Sequence, residues 1–443
     1  MIKTFSIGGI HPQDYKISAE ASIENFPLAE TAYISMSQHL GAPAEPVVAK
    51  GDYVKVGQLI AKANGFISAN IHTSVSGKVI SIEQLQDLAG NISQHIVIRR
   101  EGDDWMENID KSEDVIRTIK FSGEEIIAKI AENGIVGLGG AAFPTHIKLS
   151  PVPNKKAGCL IINGSECEPY LTSDYRVMIE SPEQILIGTK IMMKALNVQS
   201  AFFGVEENKP KAIGILKEIA AKSYPYIKIV TLKKRYPQGG EKQLIDAITG
   251  RRVPSMGLPV DTGVVVQNVG TALAVYEAIQ KNKPLFEGVV TITGECITEQ
   301  RNFRLRVGTT YETIISAIGG FPKDAVKLIS GGPMMGKAVS RMDAASVKST
   351  SALLLLTENQ TKRGEEGSCI RCAKCVNSCP MGLEPYLLNK LSMAGRVEDL
   401  EKHMVHDCIE CGCCSYTCPS NIPLLDAIRL SKYQVLKIIR SRP

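Results

Sequence analysis

The chain contains a single Trp and no long hydrophobic run. Its longest apolar run, ALLLL at 352–356, is the size of a strand, whereas a membrane span needs about 20 residues. Its first residues, MIKTFSIGGIHPQDYK, lack the apolar core and the small-residue cleavage site of a signal peptide. These absences argue against a membrane-spanning or secreted protein, and we expect the chain to stay in the cytoplasm.

The chain also lacks a strong charge bias, since its formal net charge is +5. Positive residues without an accompanying acid follow Asp426, and they are Arg429, Lys432, Lys437, Arg440 and Arg442. The remainder of the chain is therefore electrically neutral. Nucleic-acid binding needs a basic stripe on the folded domain, so we set that function class aside.

Cysteine, in contrast, is concentrated near the C-terminus. Two runs share the spacing C-x2-C-x2-C-x3-C followed by Pro, and they comprise Cys369, Cys372, Cys375 and Cys379, then Cys408, Cys411, Cys414 and Cys418. In a reducing compartment such crowding favours metal ligation over disulfides. Zinc sites typically use two separated C-x2-C pairs, whereas triple runs closed by Cys-Pro are typical of two-cluster ferredoxins.

In that ferredoxin pattern, three cysteines of one run and the fourth of the other hold each [4Fe–4S] cluster. We therefore expect one cluster on Cys369, Cys372, Cys375 and Cys418, and a second on Cys408, Cys411, Cys414 and Cys379. Cys413 is left over. The residues between the runs have apolar positions at helical spacing, which predicts a mainly helical module, and His403 and His406 are expected at its surface.

A chain of 443 residues predicts about three or four domains. Short β-branched runs broken by Gly over 41–100 predict a small barrel or sandwich. From Ser122, which forms a capping box with Glu125, helices alternate with apolar strands such as 159–162. That alternation predicts a doubly wound α/β domain with its ligand at the carboxyl ends of the strands.

Two loops lie where such a domain binds its ligand. The first, GLGGAAFPTHIKLS at 137–150, combines three glycines with a following helix that carries Lys148, which suits a phosphate group. A purely structural glycine-rich turn is the alternative, because this is not a G-x-G-x-x-G fingerprint. The second, NGSECEPYLTSDYR at 163–176, places acids and amides directly after a strand.

These two loops resemble those of the flavin-binding subunit of respiratory complex I, as do YPQGGEKQL at 236–244 and VVVQNVGTAL at 264–273, in the same order. The resemblance implies that FMN, bound without a covalent link, is surrounded by Gly137, Gly139, Gly140, Lys148, Asn163, Ser165, Glu166, Tyr236, Gly239, Gly240, Asn268 and Thr271. It implies that Phe143, Glu168 and Glu241 face the nicotinamide nucleotide. Ser165 stands where that family usually has Asp, and Gly240 where it usually has Glu.

An earlier pair of segments, GDYVKVGQLI at 51–60 and HTSVSGKV at 72–79, resembles the two halves of a biotinyl or lipoyl carrier hammerhead. In carriers the modified Lys lies at the hairpin just before the second half. Here that hairpin reads Ser68-Ala69-Asn70 and offers no amine. We therefore expect a structural role for this domain rather than a swinging arm.

The order of these modules, with IGGIHP at 7–12 and SGGPMMG at 330–336, resembles the RnfC family, found in the Rnf ferredoxin:NAD oxidoreductases. The resemblance implies a multi-domain α/β protein with four parts: a barrel-sandwich hybrid over 1–110, an FMN and NADH domain over 111–285, a soluble-ligand-binding β-grasp domain over 286–345, and a two-cluster ferredoxin module over 346–443. It implies an NAD-dependent, ion-translocating electron-transfer complex.

Within that complex the chain would be a peripheral component at the cytoplasmic face of the cell membrane, with an iron–sulfur subunit and membrane-embedded subunits as partners. No catalytic side chain is assigned, because a hydride passes directly between nicotinamide and flavin when the protein positions them. The family implies entry of electrons through the clusters, although the motifs suit either direction. Two rivals stay open: a soluble reductase similar to cobalamin reductases, and a non-catalytic cluster-bearing docking subunit.

The last stretch, AIRLSKYQVLKIIRSRP at 427–443, reads as a helix with Ile428, Val435 and Ile439 on one side. That side either packs on the ferredoxin module or leaves a basic tail free to hold the chain against an anionic membrane or an acidic partner.

Overall fold

A computed structural model of the chain describes residues 2–442. Its N-terminal region contains only strands: β1 (Ile23–Asn25), β2 (Thr31–Ser35), β3 (Glu45–Pro46), β4 (Tyr53–Val54), β5 (Leu59–Lys62), β6 (Ile71–His72), β7 (Gly77–Gln86) and β8 (Ile92–Arg100). One sheet has the order β2-β8-β7-β4 and a second β3-β5-β6. Alternate residues of both sheets, including Ile34, Ile60 and Ile96, fill a closed core, so the barrel-sandwich prediction is confirmed.

The alternating region folds as α1 (Gly123–Glu132), α2 (Thr145–Leu149), β9 (Cys159–Gly164), α3 (Ser173–Glu180), α4 (Pro182–Leu196), β10 (Ala201–Glu206), α5 (Pro210–Ser223), β11 (Ile227–Leu232), α6 (Glu241–Thr249), a 3₁₀ turn (Pro259–Thr262), β12 (Val264–Asn268) and α7 (Val269–Gln280). The sheet order β11-β10-β9-β12 is parallel throughout. Ser122 Oγ accepts from Glu125 N–H, and the Glu125 carboxylate accepts from Ser122 N–H, which is the expected capping box. The predicted α/β domain is confirmed.

The third region contains β13 (Glu287–Thr293), β14 (Arg301–Arg306), α8 (Tyr311–Ala317), β15 (Ala325–Ser330), β16 (Lys337–Ala338) and β17 (Ala352–Thr357). These strands form a mixed sheet of order β1-β14-β13-β17-β15-β16. The apolar run at 352–356 therefore lies centrally in this sheet, beyond the boundary expected at 345. β1, which precedes the barrel in the chain, pairs in parallel with β14 at the sheet edge.

The last region is helical, with α9 (Glu358–Thr361), α10 (Lys374–Ser378), α11 (Pro385–Met393), α12 (Val397–Lys402), a 3₁₀ turn (Val405–Asp407), α13 (Cys413–Tyr416) and α14 (Leu424–Ser441). Ile428 and Val435 of α14 are buried in the core of this module, and Ile439 packs against it. The apolar side of the terminal helix is thus used within the module. No helix among residues 2–442 is both long enough and apolar enough to cross a membrane.

Two segments join these regions. Residues 2–22 run across the α/β domain, where Ile10 and Tyr236 exchange backbone hydrogen bonds of 2.8 and 2.9 Å, and Gly9 N–H donates to Ser378 O in the helical module. The hairpin at 68–70 docks on the end of α1, because Ala69 joins the α/β core and Asn70 Nδ2 donates to Glu132 O. The hairpin that carries the modified Lys in carrier domains therefore has a packing role here.

Candidate functional site

A cavity lies at the carboxyl ends of β9 and β12, where Asn163 and Asn268 are register partners. The loops that follow both strands meet there with the glycine-rich loop. Among the residues expected at the flavin and nucleotide, those lining the cavity are Gly137, Gly139, Gly140, Phe143, Lys148, Asn163, Glu166, Glu168, Tyr236, Gly239, Gly240, Glu241 and Asn268. Ser165 and Thr271 are fully buried behind the lining. Residues far apart in sequence are thus gathered at one edge of the sheet.

The glycine-rich loop leaves open backbone at this cavity. Gly139 has φ +76°, and a Cβ there would lie 2.8 Å from Asn268 Nδ2, whereas a Cβ on Gly140 would meet no atom within 4 Å. Thr271 holds the loop from behind, since its Oγ1 accepts from Leu138 N–H at 2.9 Å. Exposed N–H groups beside a cation suit a phosphate, so the loop fits the expected FMN.

Lys148 and Glu241 form an ion pair across the cavity, with Nζ 2.7 Å from Oε1. Lys148 Nζ also lies 3.3 Å from Val266 O. The family resemblance assigns Lys148 to the flavin and Glu241 to the nucleotide. An anion that binds Lys148 must therefore compete with Glu241 for the same ammonium group.

The two asparagines at the strand ends tie the cavity loops together. Asn163 Nδ2 donates to Gly239 O at 2.8 Å, while its Oδ1 accepts from Ser165 N–H. Asn268 caps α7 through Gly270 N–H and donates to Asp174 Oδ2 at 2.8 Å. Their amides thus set the spacing of the loops.

Asp174 is a cavity residue that the sequence analysis did not select. Burial and the neighbouring Glu166 carboxylate raise its pKa to about 7. Asp174 stands within the quoted segment NGSECEPYLTSDYR. Its only sequence signal is that position, because its partner Asn268 comes from a different strand.

The carboxylates of the acidic loop bind backbone amides of the protein itself. Glu166 accepts from Asp174 N–H at 2.7 Å and from Tyr175 N–H at 3.3 Å, and so caps the start of α3. Glu168 accepts from Met334 N–H at 3.1 Å and Met335 N–H at 2.8 Å, in the turn after β15. Burial raises the pKa of Glu168 to about 7, although the two amides favour its charged form.

Tyr236 connects this cavity to the cysteine module. Its side chain is 2% exposed, and its hydroxyl donates to Cys411 O at 2.9 Å. Ile409, which also belongs to the second cysteine run, lines the cavity beside it. The second cysteine run therefore lies against the flavin loops.

Four thiols enclose a smaller cavity at that contact, and they are Cys379, Cys408, Cys411 and Cys414. This inner set combines three cysteines of the second run with the fourth of the first, as the crossed pattern requires. Burial and neighbouring thiols raise the pKa of Cys408 to about 11 and that of Cys414 to about 12. Bound iron would favour their thiolates, and four such donors around one space fit a [4Fe–4S] cluster.

The remaining set, the outer set, comprises Cys369, Cys372, Cys375 and Cys418. Cys369 and Cys372 are exposed, whereas Cys375 and Cys418 pack against the core of the helical module. Cys413, which the pattern leaves over, is fully buried with Ile10, Tyr236 and Cys411. His403 and His406 lie outside both sets.

The fold and these sites define a flavin- and iron–sulfur-dependent electron-transfer protein. Sequence models of known families match in the same order: the RnfC barrel-sandwich hybrid domain at 3–103, the Nuo51 FMN-binding domain at 130–277, the SLBB domain at 289–338 and a 4Fe-4S dicluster domain at 366–422. These matches confirm the expected FMN and two [4Fe–4S] clusters as the cofactors.

Curated relatives identify the family. The chain is 48% identical over 393 residues to the RnfC-type component of the proton-translocating ferredoxin:NAD(+) oxidoreductase complex of Clostridium ljungdahlii, covering 88% of this chain and 85% of that protein. It is 42% identical to the equivalent component of the Na(+)-translocating complex of Acetobacterium woodii, covering 97% and 96%. It is 41% identical to that of Rhodobacter capsulatus, covering 97% and 83%. The chain belongs to the RnfC family of ion-translocating ferredoxin:NAD(+) oxidoreductase complexes, and the expected oxidoreductase class is confirmed.

Proposed function

We propose that this chain carries electrons between an external one-electron carrier and NAD(H), with its outer cysteine set towards the carrier and its inner set towards the flavin loops. The observation that carries this order is the contact between Tyr236 and Cys411, together with the exposure of Cys369 and Cys372 at the opposite set. FMN, when bound, exchanges electron pairs with NAD(H) and single electrons with [4Fe–4S] clusters.

Within the cavity, the glycine-rich loop and Lys148 would hold the FMN phosphate. Binding there separates Lys148 from Glu241, which frees the Glu241 carboxylate beside Phe143 for the nicotinamide nucleotide. Glu168 lines the same cavity while its carboxylate binds the Met334–Met335 turn. The protein's contribution is to hold the two ring systems together and to exclude water, which are positioning effects.

The outer set is also the proposed contact for an iron–sulfur partner protein. Ile370 beside it is 68% exposed, and Tyr416, two residues before Cys418, is 58% exposed. Exposed apolar residues around a redox centre suit a transient protein contact. The relatives are named as parts of ion-translocating complexes, so we propose that this chain is likewise a peripheral subunit, at the cytoplasmic face of the membrane, beside membrane-embedded subunits.

The test uses the full chain reconstituted with iron, sulfide and FMN, kept free of oxygen. NADH should bleach the absorbance of both the flavin and the clusters. In Cys369→Ser, NADH should still reduce the flavin and the inner cluster, but transfer to an added one-electron protein acceptor should be lost. Cys413→Ser, which alters a buried cysteine outside both sets, is the matched control.

Absence of any bleaching by NADH would contradict the proposed activity and favour a docking subunit. Loss of flavin reduction in Cys369→Ser would contradict the order of the two cysteine sets.

A further inference from the structure

Two lysines lie beneath the acidic loop that carries Glu166 and Glu168. Lys16 Nζ donates to the backbone carbonyls of Glu166 at 2.9 Å, Glu168 at 2.9 Å and Leu171 at 2.6 Å. An ammonium group has three N–H donors, so every donor of Lys16 is used on this one loop. Lys16 belongs to the segment 2–22, which lies outside the α/β domain in sequence.

Lys209 reaches the same loop from the start of α5. Its Nζ donates to Ser165 O at 2.6 Å and to Asn208 Oδ1 at 3.2 Å, and lies 3.5 Å from Glu206 Oε2. The residue is 2% exposed. Together the two ammonium groups bind carbonyls from the beginning to the end of the loop over 165–171.

The loop needs this support because of its backbone conformation. Glu166 has φ +47° and Tyr170 has φ +70°, in the left-handed region that residues other than Gly rarely adopt. Such residues persist only when the surrounding structure holds them. The lysine contacts fall on the carbonyl of Glu166 itself and on those of Glu168 and Leu171, which flank Tyr170.

Burial of two cations is costly unless opposite charges accompany them. Glu166 and Glu206 provide those charges, and burial of the whole group lowers the pKa of Lys16 while the nearby Glu166 opposes that change. The charges are thus balanced below the loop. The carbonyls receive the N–H donors, and the upper side of the loop remains available to line the cavity.

We propose that Lys16 and Lys209 are positioning residues that hold the loop over 165–171 in its ligand-binding conformation, and that residues 2–22 are thereby part of the flavin site. This inference rests on the proposed function for the identity of the ligand. Further contacts support it: Tyr170 N–H donates to Asp14 O at 2.9 Å, and the Tyr15 and Tyr170 rings stack at 4.8 Å.

The experiment compares Lys16→Met with wild type in the full chain. Met keeps the length of the side chain but removes all three donors. Amide hydrogen exchange across 165–171 in the FMN-free protein should accelerate at least tenfold. The Kd for added FMN, measured by quenching of its fluorescence, should rise at least tenfold, while the iron content stays the same.

Lys16→Arg, which retains the charge and several donors, should restore part of the FMN affinity. Lys211→Met alters an exposed lysine on α5 and should leave both measurements unchanged. Lys209→Met should accelerate exchange most strongly at 165–166. If Lys16→Met does not fold, the same measurements on Lys209→Met decide the question.

Wild-type exchange rates and wild-type FMN affinity in the variants would overturn the proposal. Equal loss of iron and FMN would also overturn it, because it would show a general effect on folding. The exchange measurement needs no ligand, so it stands even if NADH fails to reduce the wild-type protein, a result that would instead contradict the proposed function.

Discussion

Lys148 is the residue on which FMN affinity should depend most directly. Its ammonium group pairs with Glu241 in the ligand-free cavity and is the cation nearest the glycine-rich loop among the residues proposed for FMN. A charge-assisted hydrogen bond contributes about 1.5–3 kcal/mol, so Lys148→Ala should weaken FMN binding by about 10- to 100-fold. The measurement is a fluorescence titration of the full chain with FMN.

Iron content provides the internal control for that variant, because the cysteine sets lie in a different module. Lys211→Ala, an exposed lysine on α5, should behave as wild type. Unchanged FMN affinity in Lys148→Ala would remove Lys148 from the site, and parallel loss of iron would indicate global unfolding.

Glu168 should make the stability of the ligand-free protein depend on pH. Its pKa is about 7 in the folded chain against an ordinary value of 4.5, so the folded state binds more protons between these two pH values. Stability therefore falls as pH rises from 4.5 to about 7 and is level above that. One such carboxyl accounts for up to about 3 kcal/mol.

Urea unfolding of wild type and Glu168→Gln across this pH range measures the effect. The variant should show a shallower slope, and the slope that remains belongs to groups such as Asp174, whose pKa is also raised. Identical slopes in the two proteins would show that Glu168 is ionised without cost in the fold.

Individual residues of the cavity differ in how well the sequence predicts them. Lys148 and the glycines were found because they follow one another within a short loop and suit a phosphate. Asp174 was missed because it is defined by Asn268, which lies on another strand. The sequence also did not predict that the Glu166 and Glu168 carboxylates bind backbone amides, since those amides belong to α3 and to a turn beyond β15.

At the scale of elements, the crossing of α4 and α7 depends on Gly188. A Cβ at that position would lie 1.9 Å from Ala272 O, so the helices must separate to admit a methyl group. Overpacking of this kind costs about 1–3 kcal/mol or more. Gly188→Ala should therefore lower the free energy of unfolding of the α/β domain by at least about 2 kcal/mol in urea titrations.

Gly214→Ala is the matched substitution within α5, where a Cβ would meet no atom within 4 Å. Ala is favoured over Gly inside a helix by about 0.5–1 kcal/mol, so this variant should be more stable than wild type. Equal effects of the two substitutions would show that the α4–α7 contact does not limit packing.

Elements built from neighbouring residues were predictable, and those built from distant ones were not. The capping box at Ser122 and the strand-sized run at 352–356 are local patterns. The place of that run between β13 and β15, and the addition of β1 to β14, depend on pairings across the chain. A hydrophobic pattern indicates that a strand is buried but does not name its partner.

At the scale of the whole molecule, the charge on α14 limits any attachment to lipid. Arg429 and Lys432 pair with Glu410, and Arg442 pairs with Glu401. Within residues 2–442, Lys437 and Arg440 form no ion pair. Two free charges contribute about 2 kcal/mol near an anionic surface, and salt screens that attraction.

We therefore expect washes of native membranes with high salt or alkali to release the chain, because its docking relies on protein partners. Immunoblots of the supernatant and pellet measure the release. A chain that resists both washes and requires detergent would contradict peripheral attachment. A chain that never sediments with membranes would favour a soluble reductase.

The path of residues 2–25 has a consequence for biosynthesis. This stretch leaves the ribosome early, yet its partners include β14 at 301–306 and Ser378 in the helical module. At about 5–20 residues per second, it waits on the order of tens of seconds for them. A nascent chain therefore acquires its flavin site only after the cysteine runs begin to emerge, and a truncated product lacking them should leave Lys16 without a fixed position. Assembly of the segment thus reports that nearly the entire polypeptide has been made.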